Sequence, residues 1–216
     1  MSENGTQAEN GAATEAVDRH DRVMCSITMA VDGFVAGPRQ NLDNPLGERG
    51  ELLHRWMFEQ PEVNAAEIRA QTSAGAFVMG RNMFTSGRGA WDPAWRGWWG
   101  EEPPYHAPVF VLTHHPREPL IMQGGTTFNF VTDGIESALT QARAAANGRT
   151  VLVAGGASTV NQYLAAGLID DLWLHITPMT LGSGERLFDG VDVQLHPVDA
   201  RNTDLATHVR YRVLRQ

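Results

Sequence analysis

The sequence predicts an α/β domain whose mixed, mostly parallel sheet carries helices on both faces and an antiparallel hairpin at its C-terminal end. Three observations predict it. Short apolar runs alternate with segments of helical composition, the pattern of parallel strands joined by crossover helices. Two of these runs, Ala76–Met79 and Val151–Ala154, lead directly into glycine and then into helix-forming residues. The last two runs, Val193–Val198 and Thr207–Leu214, have no helical segment between them, which reads as a hairpin.

The elements follow in order. Residues 22–30 form a first strand, with β-compatible bulk from Val23, Ile27 and Met29, and Asp32-Gly33 breaks it. Residues 34–50 are rich in Gly, Pro and Asn and read as a long loop, a kind usually tied to function. Pro61 suits a helix start, residues 63–73 continue the helix and Gly75 ends it. After the strand Ala76–Met79, residues 92–106 are irregular, with three prolines among Trp95, Trp98, Trp99 and Tyr105. Residues 109–113 and 127–131 read as strands. Asp133 and Glu136 resemble a capping box, and Ile135, Ala138, Leu139, Ala142 and Ala146 then mark one helical face that ends near Gly148. The strand at 151–154, the turn Gly155-Gly156, a helix over 158–166 and a strand over 172–177 stopped by Pro178 complete the core.

Composition narrows the chemistry. The 17 basic residues are all Arg, so a phosphate-loop lysine and lysine Schiff-base chemistry are excluded. A formal net charge of −8 argues against a nucleic-acid surface, which needs clustered cations. Cys25 is the only cysteine, so neither an intrachain disulfide nor a cysteine-rich metal site can form, and a reducing, cytoplasmic setting is expected. Residues 1–21 are polar, without the apolar run of a signal peptide, and are expected to be a disordered tail ahead of one domain over 22–216. No run reaches the length of a membrane helix, so no membrane partner is expected.

Several segments could carry function. In Gly155-Gly156-Ala157-Ser158-Thr159, a buried strand meets a helix start, where free backbone N–H groups and the positive helix end converge on one point. That is either a phosphate cradle or a tight turn requiring positive φ. Met79-Gly80-Arg81-Asn82-Met83-Phe84 repeats the arrangement with an arginine in the first helical turn; Arg81 is a phosphate contact or a solvated cation. In Thr113-His114-His115-Pro116-Arg117, the adjacent histidines face opposite sides of a strand and lack a carboxylate at ligand spacing, so an anion contact or helix cap is favoured and no metal is expected. Gly182-Ser183-Gly184-Glu185-Arg186-Leu187 lacks the third glycine of a dinucleotide fingerprint; it is an anion-binding nest or a flexible connection. The tryptophans from Trp91 to Trp99 line a pocket for a flat ligand or pack a long loop against the core.

The order of these motifs resembles the dihydrofolate reductase superfamily: Ala30-Val31-Asp32-Gly33-Phe34-Val35-Ala36-Gly37, then Met79 to Phe84, Val111-Leu112-Thr113-His114, Val153-Ala154-Gly155-Gly156-Ala157, and Pro178 to Phe188. Val31-Asp32-Gly33 and Pro178 to Phe188 look closer to the reductase domain of riboflavin biosynthesis. The resemblance implies a three-layer fold binding NADPH, a small heterocyclic substrate resembling 5-amino-6-(5-phosphoribosylamino)uracil, and a homodimer. It implies that Thr28 and Ala36 flank the nicotinamide, that Gly80, Arg81 and Asn82 face the adenosine phosphates, and that Thr113 and His114 lie near the 2′-phosphate. Gly155, Gly156, Ala157, Ser158 and Thr159 would hold the pyrophosphate. Asp32 would be the catalytic acid, and Trp91, His175 and Glu185 would meet the substrate. The stretch matching the acid-bearing helix of folate reductases is lengthened, so Asp43, Glu48 and Glu51 are alternatives for the acid. Two further readings stand beside the leading one: a pterin reductase, and a non-catalytic NADP(H)-binding sensor.

Overall fold

The computed structural model describes residues 21–85 and 90–215. The expected tail over 1–21 lies outside these residues but for Asp21. The first strand, β1 (Val23–Ala30), is central, and β2 (Phe34–Ala36) follows the turn at Asp32-Gly33. A 3-10 turn at Gly50–His54 leads into α1 (Arg55–Phe58), then come α2 (Ala65–Thr72), β3 (Ala76–Gly80) and the single turn α3 (Arg81–Phe84). The strands β4 (Pro108–Leu112), β5 (Leu120–Ile121) and β6 (Thr127–Val131) precede α4 (Ile135–Ala146), β7 (Val151–Gly155) and α5 (Ala157–Ala165). The chain closes with β8 (Asp171–Thr177), β9 (Glu185–Arg186), β10 (Gln194–Asn202) and β11 (Thr207–Leu214).

Nine of these strands form one sheet in the order β10-β11-β8-β1-β7-β3-β4-β6-β5, and β2 pairs with β9 beside it. From β8 to β6 every neighbouring pair is parallel; β11, β10 and β5 run antiparallel at the two edges. The register explains the alternation along β1. Val23, Cys25 and Ile27 point to one face, where they pack with Ala138, Leu139 and Ala142 of α4 and Val160 and Leu164 of α5. Ser26 and Thr28 point to the other, where Trp56 of α1 donates its indole N–H to Thr28 Oγ1 at 3.3 Å. Over β3, β4 and β6 that second face is covered by the irregular tryptophan-rich segment: Trp95, Trp99 and Tyr105 pack on Phe77, Val109 and Phe128. Among the described residues no helix is long and apolar enough to cross a membrane.

One local expectation is corrected. Asp133 does not cap α4: the N-cap is Gly134, with φ 92°, and Asp133 accepts a hydrogen bond from Thr132 Oγ1 instead. The helical turns over 50–58 fill a stretch that composition left unassigned. Their signal is the apolar pair Leu53 and Trp56, three residues apart and both fully buried.

Candidate active site

The carboxyl ends of the parallel strands open into one cleft of about 920 Å³, near the upper end of the range usual for small-molecule sites. Its floor comes from Ser26 and Thr28 on β1 and from Leu152 and Ala154 on β7. One wall is Gly80, Arg81 and Asn82, where β3 turns into α3; the next is Gly155 to Thr159, where β7 turns into α5. Thr113 and His114, just past β4, close the far end, and Ala36 with Glu185 closes the near one. Thirteen of the residues expected from sequence therefore meet in one cleft: Thr28, Ala36, Gly80, Arg81, Asn82, Thr113, His114, Gly155, Gly156, Ala157, Ser158, Thr159 and Glu185.

The two glycine turns are built to stand close together. β3 and β7 are adjacent and parallel, with a register shift at Met79 that pairs it with Gly155. Gly80 lies against Thr159, and a Cβ on Gly80 would collide with Thr159 Oγ1. Gly155, at φ 130°, occupies backbone space that only glycine enters readily, and its peptide bond to Gly156 is cis. Gly156 differs: a Cβ there would meet nothing within 4 Å, so its surface is open to the cleft. The first-turn N–H groups of α5 have no partners within the helix, and the residues that carry them, Ala157, Ser158 and Thr159, line the cleft.

Arg81 is held in place by aromatic packing. Its guanidinium lies 4.0 Å from the centre of the Trp91 ring. The Trp91 indole N–H donates to the His115 carbonyl at 2.8 Å, and Arg117 approaches the same ring at 5.4 Å. Burial lowers the guanidinium of Arg81 from its ordinary value, yet an arginine remains charged at any physiological pH. Trp91 does not line the cleft as expected of a substrate contact; it stands behind Arg81 and orients it, while Trp98 and Trp99 line the wall.

Asp32 also departs from expectation. Its carboxylate accepts the backbone N–H of Gly182 at 2.8 Å and of Leu181 at 3.1 Å, and Asp32 is outside the cleft lining. The side chain fastens the end of β1 to the segment that carries Glu185. Asp43, Glu48 and Glu51 lie outside the lining too, with Glu48 paired to Arg39 on the surface. Glu185 is thus the one carboxylate among the described residues that line the cleft. His175 is buried beneath the floor, between Ser26, His208 and the Trp56 ring, whose centre is 4.6 Å from its own.

His54 and Ser26 are among the lining residues that the sequence reading did not single out. His54 reaches the cleft from the turn before α1; its Nδ1 is buried without a hydrogen-bond partner, and burial lowers its basicity. Ser26 is a small hydroxyl within a mostly apolar strand, and only the sheet register shows which way it faces. Cys25 points into the opposite core, where burial pushes its thiol far above the ordinary value, so it is not a nucleophile. No group of three or more metal-ligating side chains occurs among the described residues.

A sheet of this order with a cleft on its carboxyl edge defines a dihydrofolate reductase-like α/β protein. The chain belongs to the RibD C-terminal domain family, whose model matches residues 21–210. It is 22% identical over 177 residues to the uncharacterized protein YyaP of Bacillus subtilis, spanning 80% of this chain and 82% of that one. Among solved structures it is similar to a Shewanella sp. PV-4 protein provisionally named for riboflavin biosynthesis, with TM-score 0.62 and 22% identity over 90% of this chain and 99% of the other. It is also similar to the riboflavin biosynthesis reductase Rib7 of Saccharomyces cerevisiae, with TM-score 0.52 and 15% identity over 95% and 94% of the two chains. The Thermotoga maritima diaminohydroxyphosphoribosylaminopyrimidine deaminase/5-amino-6-(5-phosphoribosylamino)uracil reductase matches with TM-score 0.55 and 16% identity, over 90% of this chain and 57% of that one.

Proposed function

We propose that this protein is an NADPH-dependent reductase acting on a small amino-substituted heterocycle of the pyrimidine type that its family relatives reduce. The observation that carries the reading is the convergence of two glycine turns on adjacent parallel strands with Arg81 in one cleft that also holds Glu185. The residues present fit the cofactor: the open surface over Gly156 admits a pyrophosphate against the start of α5, and Arg81, in a protein without lysine, supplies a fixed cation for a phosphate. NADPH would bring the hydride chemistry itself.

The chain's own residues do the rest. Gly155 to Thr159 and Gly80 to Asn82 would bind the phosphates, with Thr113 and His114 beside the adenosine end. Ala36, Thr28 and Leu152 would form the walls of the reaction space and exclude water from it. Glu185 would hold a polar edge of the substrate, and Asp32 keeps the Glu185 segment at the cleft through the backbone of Leu181 and Gly182.

The test is a titration of NADPH by calorimetry, followed by NADPH oxidation with 5-amino-6-(5-phosphoribosylamino)uracil and with dihydropterin. Binding with turnover of the first is the expected result. Turnover of the pterin alone would reassign the substrate, tight binding without turnover would make the protein a sensor, and no binding would remove the reading.

A further inference from the structure

On the sheet face covered by α1 and α2, four buried polar side chains form a line that starts in the cleft. Ser26 Oγ is 2.9 Å from His175 Nε2, His175 Nδ1 is 2.8 Å from His208 Nδ1, and His208 Nε2 is 3.0 Å from Asn64 Oδ1. Asn64 is fully buried and His175 is 1% exposed. Ser26 alone of the four lines the cleft.

The far end of the line fixes where every hydrogen sits. Asn64 Nδ2 donates to the carbonyl oxygens of Trp56 at 2.8 Å and Gln60 at 2.9 Å, so both amide hydrogens are engaged and Oδ1 is the atom that faces His208. Arg201 Nη2 donates to that same oxygen at 3.3 Å. His208 Nε2 must therefore carry a hydrogen. In a neutral imidazole the other nitrogen is a bare acceptor, so His208 Nδ1 accepts and His175 Nδ1 donates. That leaves His175 Nε2 bare, and it takes the hydroxyl hydrogen of Ser26. Both rings are neutral: burial, chiefly, holds His175 down to about 3, and burial lowers His208 although Glu67 opposes it.

We infer that Ser26 is a specificity-determining residue that presents a fixed hydrogen-bond acceptor to the substrate, and that His175, His208 and Asn64 are positioning residues that impose this polarity. The inference rests on reading the cleft as a substrate site. With its hydrogen committed to His175, Ser26 Oγ offers only lone pairs to the cleft. The matching ligand group is an N–H donor, such as the exocyclic amine of an aminopyrimidine. A carbonyl or a bare ring nitrogen at that position would face lone pair against lone pair. The arrangement does not make Ser26 a nucleophile, because a histidine as weakly basic as His175 does not take a serine proton at neutral pH.

Two measurements test it. In the full-length protein with 15N-labelled histidine, long-range 1H–15N spectra are expected to find the hydrogen of His208 on Nε2 and that of His175 on Nδ1, the less common tautomer. Asn64→Leu, which removes the acceptor at His208 Nε2, loses the pattern. A hydrogen on His175 Nε2 in the wild type overturns the inference. The second measurement is an NMR titration with 2-aminopyrimidine, whose amine is its only donor, and with the near-isosteric 2-methylpyrimidine. Wild type should bind the amine about two- to tenfold more tightly, the value of one hydrogen bond, and Ser26→Ala, with its fold verified by thermal melting, should bind the two alike. No preference in wild type, absence of binding included, or a preference retained in Ser26→Ala, overturns it. Failure of the reductase reading would look different: no NADPH binding, with the tautomers and the amine preference intact.

Discussion

The guanidinium of Arg81 lies over the indole of Trp91, 4.0 Å from its centre, and the indole is itself anchored to the backbone of His115. This contact positions the only cation among the described residues that both lines the cleft and sits at a glycine turn. A charge-assisted hydrogen bond contributes roughly 1.5–3 kcal/mol, so Arg81→Ala should weaken NADPH binding by about tenfold to a hundredfold. NADH binding should change much less if Arg81 meets the 2′-phosphate. Trp91→Leu should move the ratio in the same direction by a smaller factor, because it frees the arginine without removing it. Calorimetric titration of both cofactors decides it, and an unchanged NADPH to NADH ratio in Arg81→Ala excludes that role.

Gly156→Val separates cofactor exclusion from misfolding. The φ of Gly156 is −74° and its Cβ position is empty, so the variant should melt near the wild-type temperature. The branched side chain would occupy the space assigned to the pyrophosphate, and NADPH affinity should fall by more than tenfold. Gly80→Val is the contrasting case, because its Cβ runs into Thr159 and the two strand ends must separate. That variant should lose stability as well as affinity. A stable Gly156→Val protein with normal NADPH affinity would locate the phosphate elsewhere.

The buried histidines make stability depend on pH. An unfolded histidine takes up its proton near 6.5, whereas His175 in the fold is held down to about 3, mainly by burial. Below 6.5 the unfolded chain therefore binds more protons than the native one. The stabilisation is intact above 6.5 and is lost as pH falls from 6.5 toward 3, by about 1.4 kcal/mol per pH unit for each group that differs fully. His54 and His208 are lowered in the same sense. Glu67 is lowered too, since its burial is outweighed by the Arg201 contacts together with a backbone hydrogen bond and nearby positive charge, but a lowered carboxylate acts only below its ordinary value of 4.5. Denaturant unfolding between pH 7.5 and 4.5 should give a steady loss for wild type and a shallower one for His175→Gln. Equal slopes would place the proton uptake on other groups.

Glu185→Gln should reduce turnover while leaving NADPH affinity within about twofold, since Glu185 stands at the end of the cleft opposite Thr113 and His114 and is proposed to meet the substrate. If NADPH affinity falls with turnover unchanged at saturating cofactor, the carboxylate belongs to the cofactor side.

What the sequence made legible was whatever depends on local chain direction. Gly80, Arg81 and Gly155 to Thr159 were readable because a strand ending in glycine before a helix puts backbone donors at the carboxyl edge whatever the rest of the fold does. Side chains whose role depends on the opposite partner were not readable. His175 alternates along β8 like a residue facing the site, but β11 lies alongside and supplies His208, which draws the ring into the core. Asp32 sits two residues past a strand end, where an acid can face substrate or cap a loop, and its carboxylate accepts from a loop 149 residues later that the local sequence does not announce. The turns over 50–58 were missed because a nine-residue run whose apolar residues fall in two adjacent blocks, Leu52-Leu53 and Trp56-Met57-Phe58, is too short for a periodicity to emerge, yet they bring His54 and Met57 to the cleft.

Asp32 makes the sharpest contrast between a catalytic and a structural carboxylate. Both its oxygens accept backbone N–H groups, from Leu181 and from Gly182, across 149 and 150 residues of chain. Those bonds join the end of β1 to the segment leading into β9, and β9 in turn pairs Glu185 with Ala36. Hydrogen bonds to a charged acceptor contribute about 1.5–3 kcal/mol when sheltered, and the partial exposure here brings the expectation to about 1–2 kcal/mol. For a chain of this size that is a fall of roughly 2–8 °C in Tm on Asp32→Ala. Asp32→Asn keeps one acceptor oxygen and should lie between the two. Limited proteolysis should find the bonds near Gly182 and Gly184 cut faster in both variants, and turnover should fall in proportion to that loosening. A catalytic Asp32 gives the other pattern: Asp32→Asn with wild-type Tm, wild-type resistance to cleavage and turnover lost by orders of magnitude.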